Sequence, residues 1–199
     1  MKTLKEFLKR LARFFGLGAT ETLEPLTSLA QKIEPRATLE TIPLAESEKQ
    51  ILNDISAHAR DSRSQRGGET IVLFTGVSGS GKTNAAEVIA RNLGLDLYRV
   101  DSDRIISKYI GETEKNLNRL FTAAESDGVI LLFDEADALF GKRSEVKDSH
   151  DRYANIEIGY LLQQLEAFNG VAILATNNEE DTDDTFRRRI RFVVKFPPD

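Results

Sequence analysis

Residues 76–83 read Gly-Val-Ser-Gly-Ser-Gly-Lys-Thr and fit the pattern G-x-x-x-x-G-K-[ST]. The run before them, Ile71-Val72-Leu73-Phe74-Thr75, is apolar and β-branched, as in a buried strand. The run after them, Asn84 to Leu93, is rich in helix formers. A strand that turns through a glycine-rich loop into a helix leaves the backbone N–H groups of the loop pointing inward. The helix N-terminus adds partial positive charge, so the predicted object is a phosphate cradle. Lys82 is expected to reach the β- and γ-phosphates, and the Thr83 hydroxyl to ligate Mg²⁺. The expected nucleotide-holding set is Gly76, Ser78, Gly79, Ser80, Gly81, Lys82, Thr83 and Asn84. An ordinary Gly/Ser-rich loop would not require these flanks.

A second half-site follows. Val129-Ile130-Leu131-Leu132-Phe133 is nearly continuous in apolar character, the mark of a parallel strand covered on both faces. It ends in Asp134-Glu135, where ligands bind in open α/β sheets. Asp134 is expected to hold Mg²⁺, and Glu135 to polarise the attacking water as general base. The plainer alternative makes both acids the start of a solvated helix from Glu135 to Phe140. The adjacent glutamate, and the absence of an Asn-Lys-x-Asp guanine signature, favour ATP over GTP.

From Glu69 onward strands and helices alternate, which predicts an α/β fold with a parallel sheet and crossover helices. Five strands are expected at Ile71–Thr75, Asp96–Val100, Val129–Phe133, Val171–Ala175 and Phe192–Phe196. Helices are expected at Lys82–Leu93, Thr113–Glu125 and Ala154–Phe168, with helical periodicity also in Glu46 to Ala59. The domain reading is an amphipathic helix at 1–18, a linker at 19–38 and an ATPase core at 39–199. The chain has no cysteine among 199 residues, which excludes disulfides and Cys-ligated zinc, and its two histidines argue against a multi-histidine metal site. Its net charge of −5 gives no drive toward nucleic acid. It has no apolar run near the roughly 20 residues that span a bilayer and no signal-peptide h-region. A cytoplasmic protein is therefore expected.

Residues 1–18 stand apart. On a helical wheel Leu4, Phe7, Leu8, Leu11, Phe14 and Phe15 share one arc, with basic side chains opposite. Such a face must be buried: on the core, on a second copy, on an anionic membrane surface or in a partner's groove.

Further motifs carry a family resemblance over about residues 40–199. Ser107 to Leu117 looks like the first pore loop of AAA-type ATPases, a branch of the AAA+ superfamily, with the helix that follows it. Leu132 to Phe140 resembles the family's extended Walker B, Ala175-Thr176-Asn177 its sensor 1, and Phe186 to Phe192 its arginine-finger segment. Gly141 to Asp148 is similar to bacterial members. The resemblance implies a P-loop NTPase sheet in the order 5-1-4-3-2. It implies an ATPase that works as an oligomeric ring, a hexamer, and remodels or threads protein substrates. Asn177 would sense the γ-phosphate. Arg191 would act on a neighbour's phosphate, with Arg188 and Arg189 as fallbacks. Tyr109, Ile110 and Gly111 would grip a polypeptide, and Ile42-Pro43-Leu44 would approach adenine. Plainer readings stand beside these: a turn-forming Asn177, a solvated basic surface at the arginines, a core Tyr109. Three departures from the family are visible. Residues 76–81 read Gly-Val-Ser-Gly-Ser-Gly rather than the common Gly-Pro-Pro-Gly-Thr-Gly. Val194 stands where many relatives have a second finger, and the chain ends at Asp199, where relatives continue into a helical lid. The missing lid supports the alternative of a nucleotide-dependent assembly module with little turnover.

Overall fold

The computed structural model describes residues 26–64, 68–107, 109, 111–136, 149–177 and 187–197. A 3-10 turn at Leu26–Ser28 leads into β1 (Ala30–Ile33). Then come α1 (Glu46–Ser64), β2 (Thr70–Thr75), α2 (Lys82–Leu93), β3 (Leu97–Val100) and the short α3 (Ser102–Ile105). The chain continues through α4 (Glu112–Asp127), β4 (Ile130–Phe133), α5 (Ser149–Ala167), β5 (Val171–Thr176) and β6 (Phe192–Lys195). The amphipathic stretch 1–18, Ile110 and the segment 141–148 lie outside the described residues.

One sheet runs in the order β1-β3-β4-β5-β2-β6. The five strands from β2 to β6 are parallel and take the relative order 5-1-4-3-2 expected of them. The expectation of a five-stranded, wholly parallel sheet fails at one edge. β1 pairs antiparallel with β3, Ala30 opposite Val100 and Ile33 opposite Leu97, so the sheet is mixed and has six strands. The stretch read as linker at 19–38 therefore holds a strand. Gln31 and Lys32 are exposed and carry no apolar alternation, because this strand covers an edge rather than building a core. Lys32 Nζ reaches Asp96 Oδ2 at 2.9 Å, and this hydrogen bond, against a smaller desolvation effect, raises the ammonium above its ordinary pKa.

Alternate strand residues face opposite helical layers, as the period of two requires. Val72 and Phe74 join Ile55, Ala86 and Val194 on one side, under α1 and α2. Ile71 and Leu73 join Leu120, Phe121 and Leu165 on the other, under α4 and α5. β2, β4 and β5 are buried along their whole lengths, which is why they read as unbroken apolar runs. Each fully buried Leu, Ile or Phe contributes about 1.5–3 kcal/mol, so these strands carry much of the core. α1 runs five residues beyond the periodic stretch seen in sequence. Arg60 and Arg63 on its last turns reach the carbonyls of Asn92 and Gly128, at the C-terminal ends of α2 and α4. Basic groups at those ends complement both helix dipoles. Every functional segment named below leaves the C-terminal ends of β2, β3, β4 or β5, apart from the arginine run ahead of β6.

Candidate functional site

The loop 76–81 leaves β2 and starts α2 with Gly81 in a left-handed conformation, φ 95°. No side chain caps this helix start, so its first N–H groups face the loop's hollow. Gly76 is required for a different reason. A Cβ there would lie 2.6 Å from the Phe196 carbonyl oxygen and 2.8 Å from Phe196 Cβ. Phe196 is itself fixed: its N–H donates to the Thr75 carbonyl at 2.7 Å, and its ring packs edge-on against Phe74. Ser78 and Gly79 are exposed, while Ser80 is buried and its Oγ has no hydrogen-bond partner among the described residues. A buried hydroxyl left unpaired costs about 1–3 kcal/mol, a deficit that a phosphate oxygen in this hollow would remove.

Lys82 is 7% exposed, and its ammonium uses all three protons. They go to the Gly76 carbonyl at 2.6 Å, the Val77 carbonyl at 2.8 Å and Asn177 Oδ1 at 3.2 Å. This contact brings together two residues 95 positions apart, the loop lysine and the amide after β5. Asn177 is thus tied to the phosphate cradle. Thr83 is half-buried in the first turn of α2, and Asn84 is exposed.

Asp134, Glu135 and Ala136 follow β4 in a turn, and the rest of the helix weighed for Glu135 to Phe140 lies outside the described residues. The Ala136 N–H donates to the Ala175 carbonyl at 2.8 Å and pins this turn to β5. Glu135 carries φ 54°, the one positive φ found outside glycine among the described residues. A left-handed glutamate stores local strain, which concentrates at functional positions. Both acids line a cavity of about 410 Å³ with Gln31, Arg99, Asp101 and Asp103. Those four lining residues were not anticipated. The strand order already put Asp96–Val100 beside Walker B, so the signal existed for Arg99 and Asp101. Gln31 had no such signal, because β1 was unrecognised.

The remaining predicted residues fall into place as follows. Tyr109 is 78% exposed between α3 and α4, so the core-tyrosine alternative fails. Its N–H donates to Ser107 Oγ, and Gly111 follows at φ 79°. In the arginine run, Arg189 pairs with Glu166 of α5. Arg191 is exposed, and its N–H donates to the Ile71 carbonyl at the start of β2. The phosphate loop lies at the other end of β2, about 13 Å away for four residues at roughly 3.3 Å each. Arg191 and the chain's own cradle therefore occupy opposite ends of the sheet.

The cradle fits a nucleoside triphosphate: open helix N–H groups, an orphan hydroxyl and a buried ammonium. The donors Thr83 and Asp134 are hard oxygens of the kind that suit Mg²⁺.

Comparison with known proteins agrees with this geometry. Residues 72–198 match the model of the AAA family, the ATPase family associated with various cellular activities. The chain is 31% identical over 183 residues to the AAA family ATPase y4kL of Sinorhizobium fredii, covering 87% of this chain and 54% of that protein. It is 36% identical over 122 residues to the 26S proteasome regulatory subunit 10B homolog A of Arabidopsis thaliana, covering 59% of this chain and 31% of the relative. The chain spans about half the length of the first of these relatives, or less of the second. Among solved structures, an E. coli HORMA:CdnC:Trip13 complex contains a chain that superposes with a TM-score of 0.65 at 20% identity, over 86% of this chain and 70% of that one. That likeness concerns the fold alone. The chain belongs to the AAA family of ATPases. None of the described helices is long and apolar enough to cross a membrane.

Proposed function

We propose that this chain hydrolyses Mg·ATP in a homo-oligomeric ring and couples the turnover to remodelling or threading of protein substrates. The observation that carries the catalytic part is the Lys82–Asn177 contact beside Asp134 and the strained Glu135. Thr83 and Asp134 would hold Mg²⁺, which supplies charge neutralisation on the phosphates when bound. Lys82 and the N–H groups of the loop hold and orient the triphosphate. Asn177 positions its terminal phosphoryl group. Glu135 accepts the proton of the attacking water. The separation of Arg191 from its own cradle supports a role at a neighbouring subunit's phosphate, where a guanidinium stabilises transferring charge. The exposed Tyr109 supports contact with a polypeptide, as does the similarity to a 26S proteasome regulatory subunit. The amphipathic face of residues 1–18 favours a peripheral seat on an anionic membrane or in a partner's groove, on a cytoplasmic protein.

The test replaces Glu135 by Gln. ATP binding should persist within about threefold while hydrolysis falls by 10² or more, the size expected for a lost general base. Hydrolysis by Glu135→Gln at the parent rate would remove the assignment. A second reading, a nucleotide-switched assembly module with little turnover, predicts ATP binding without stimulation of hydrolysis by any unfolded polypeptide.

A further inference from the structure

The segment 36–44 lies against the phosphate-loop helix, held there by apolar packing and by one carboxylate. Glu87, on α2, accepts two hydrogen bonds at a single oxygen: the Arg36 N–H at 2.8 Å and the Ala37 N–H at 2.9 Å. Both are charge-assisted, and together they hold the two successive peptide planes that carry these N–H groups. The segment is stiff beyond that point. The Thr38 N–H donates to Thr41 Oγ1, the Thr41 hydroxyl donates back to the Thr38 carbonyl, and the Ile42 N–H donates to the same carbonyl. Ile42 and Leu44 are 3% and 8% exposed in the core cluster that contains Ala85, Ala86, Val194 and Phe196. The result is a stiff strap: Ile42 and Leu44 are buried at one end, Ala37 and Leu39 pack partly against the same core, and Glu87 fastens the end that follows β1.

The sheet order says what this strap faces. β2 lies between β5 and β6. Asn177 follows β5, while Asp134 and Glu135 follow β4 beyond it, so the groups suited to the terminal phosphate lie to one side of the loop. The other side is β6, with Phe196 against Gly76 and the strap beside it. A triphosphate with its γ end at Asn177 must extend its nucleoside toward β6 and the strap.

We infer that Glu87 is a positioning residue for nucleotide binding: its carboxylate latches the strap 36–44 into place as the wall for the nucleoside, and so sets the preference for ATP over a bare polyphosphate. This rests on the ATP-binding reading of the site. Without the latch the 36–37 end of the strap, three residues beyond β1, spends time undocked, and apparent affinity falls by the docked fraction. A strap docked a tenth of the time weakens nucleotide binding about tenfold. Inorganic triphosphate has no nucleoside and should not register the change.

The experiment is calorimetry on the full chain with Mg²⁺, titrating ATP and inorganic tripolyphosphate separately, with steady-state hydrolysis alongside. The parent should bind ATP more tightly than tripolyphosphate. Glu87→Ala should weaken ATP about tenfold and raise KM similarly, with tripolyphosphate affinity and kcat changed less than about twofold. Glu87→Gln, whose amide oxygen can accept the same two N–H groups, should recover most of the loss. If Glu87→Ala does not fold, Ala37→Pro tests the same latch by deleting one donor while leaving the carboxylate. Equal weakening of ATP and tripolyphosphate would mean that α2 itself is damaged and would overturn the latch. Unchanged ATP affinity, or no recovery with Gln, would overturn it also. A parent that binds tripolyphosphate as tightly as ATP would show that no wall for the nucleoside exists. A parent that binds neither would instead overturn the ATP reading itself, and the latch with it.

Discussion

The two glycines at Gly76 and Gly81 should fail in different ways when each is replaced by alanine. Gly76 has φ 153°, and a Cβ there would meet a backbone oxygen at 2.6 Å. That oxygen belongs to Phe196, whose N–H is bonded to Thr75 and whose side chain is 4% exposed, so it cannot move without disturbing β6. A residue held in an unfavourable backbone region costs about 1–3 kcal/mol. Overlap in a packed site costs about 1–3 kcal/mol more. Gly76→Ala should therefore destabilise the folded chain by roughly 2–6 kcal/mol, a fall in Tm of about 4–24 °C for a domain this size. Gly81 has φ 95° but nothing within 4 Å of its Cβ position. Gly81→Ala should cost only the backbone term, about 1–2 kcal/mol, while its methyl enters the hollow meant for phosphate and weakens ATP binding. Urea denaturation of both variants, followed by ATP titration of each below its transition, separates the two effects. If Gly76→Ala is as stable as the parent, or no less stable than Gly81→Ala, the packing argument at Phe196 is wrong.

Lys82→Ala should lose ATP binding by at least about two orders of magnitude, because a charged hydrogen-bond donor with no neighbour able to replace it is removed at the phosphates, and calorimetry will read this directly. Hydrolysis should rise more than linearly with protein concentration, and mixing Arg191→Ala with Glu135→Gln subunits should restore part of the activity that each lacks. No restoration at any ratio, with both variants assembled, would speak against action between subunits. Burial first, and the nearby Arg191 guanidinium second, hold the His58 imidazole below its ordinary pKa, with Asp61 pulling weakly the other way. The unfolded chain then binds the proton more readily, so stability should rise with pH through the window below about 6.5 and level off above it. Denaturant melts across pH 5–8 should show that slope, and it should flatten in His58→Gln.

Much of this molecule was legible in one dimension because its chemistry is local. The stretch Gly76–Thr83 carries its own geometry: glycines that permit the turn, a helix start that supplies N–H groups, and a lysine within reach of both. α2 begins and ends where the residues said it would, at Lys82 and Leu93. The buried strands announced themselves because both of their faces are covered, and covered faces demand apolar side chains at every position. β1 was silent for the converse reason. An edge strand is held by backbone hydrogen bonds to a neighbour 64 to 70 positions away, and its side chains Gln31 and Lys32 need not be apolar. The same holds for the contacts that complete the site. Lys82 with Asn177, Glu87 with the backbone at 36–37, Arg189 with Glu166, and Arg99 beside Glu135 are pairings between residues far apart in sequence. Composition and spacing name the groups that can perform the chemistry. Which of them meet depends on the order in which six strands pack, and that order is decided by long-range burial and backbone pairing.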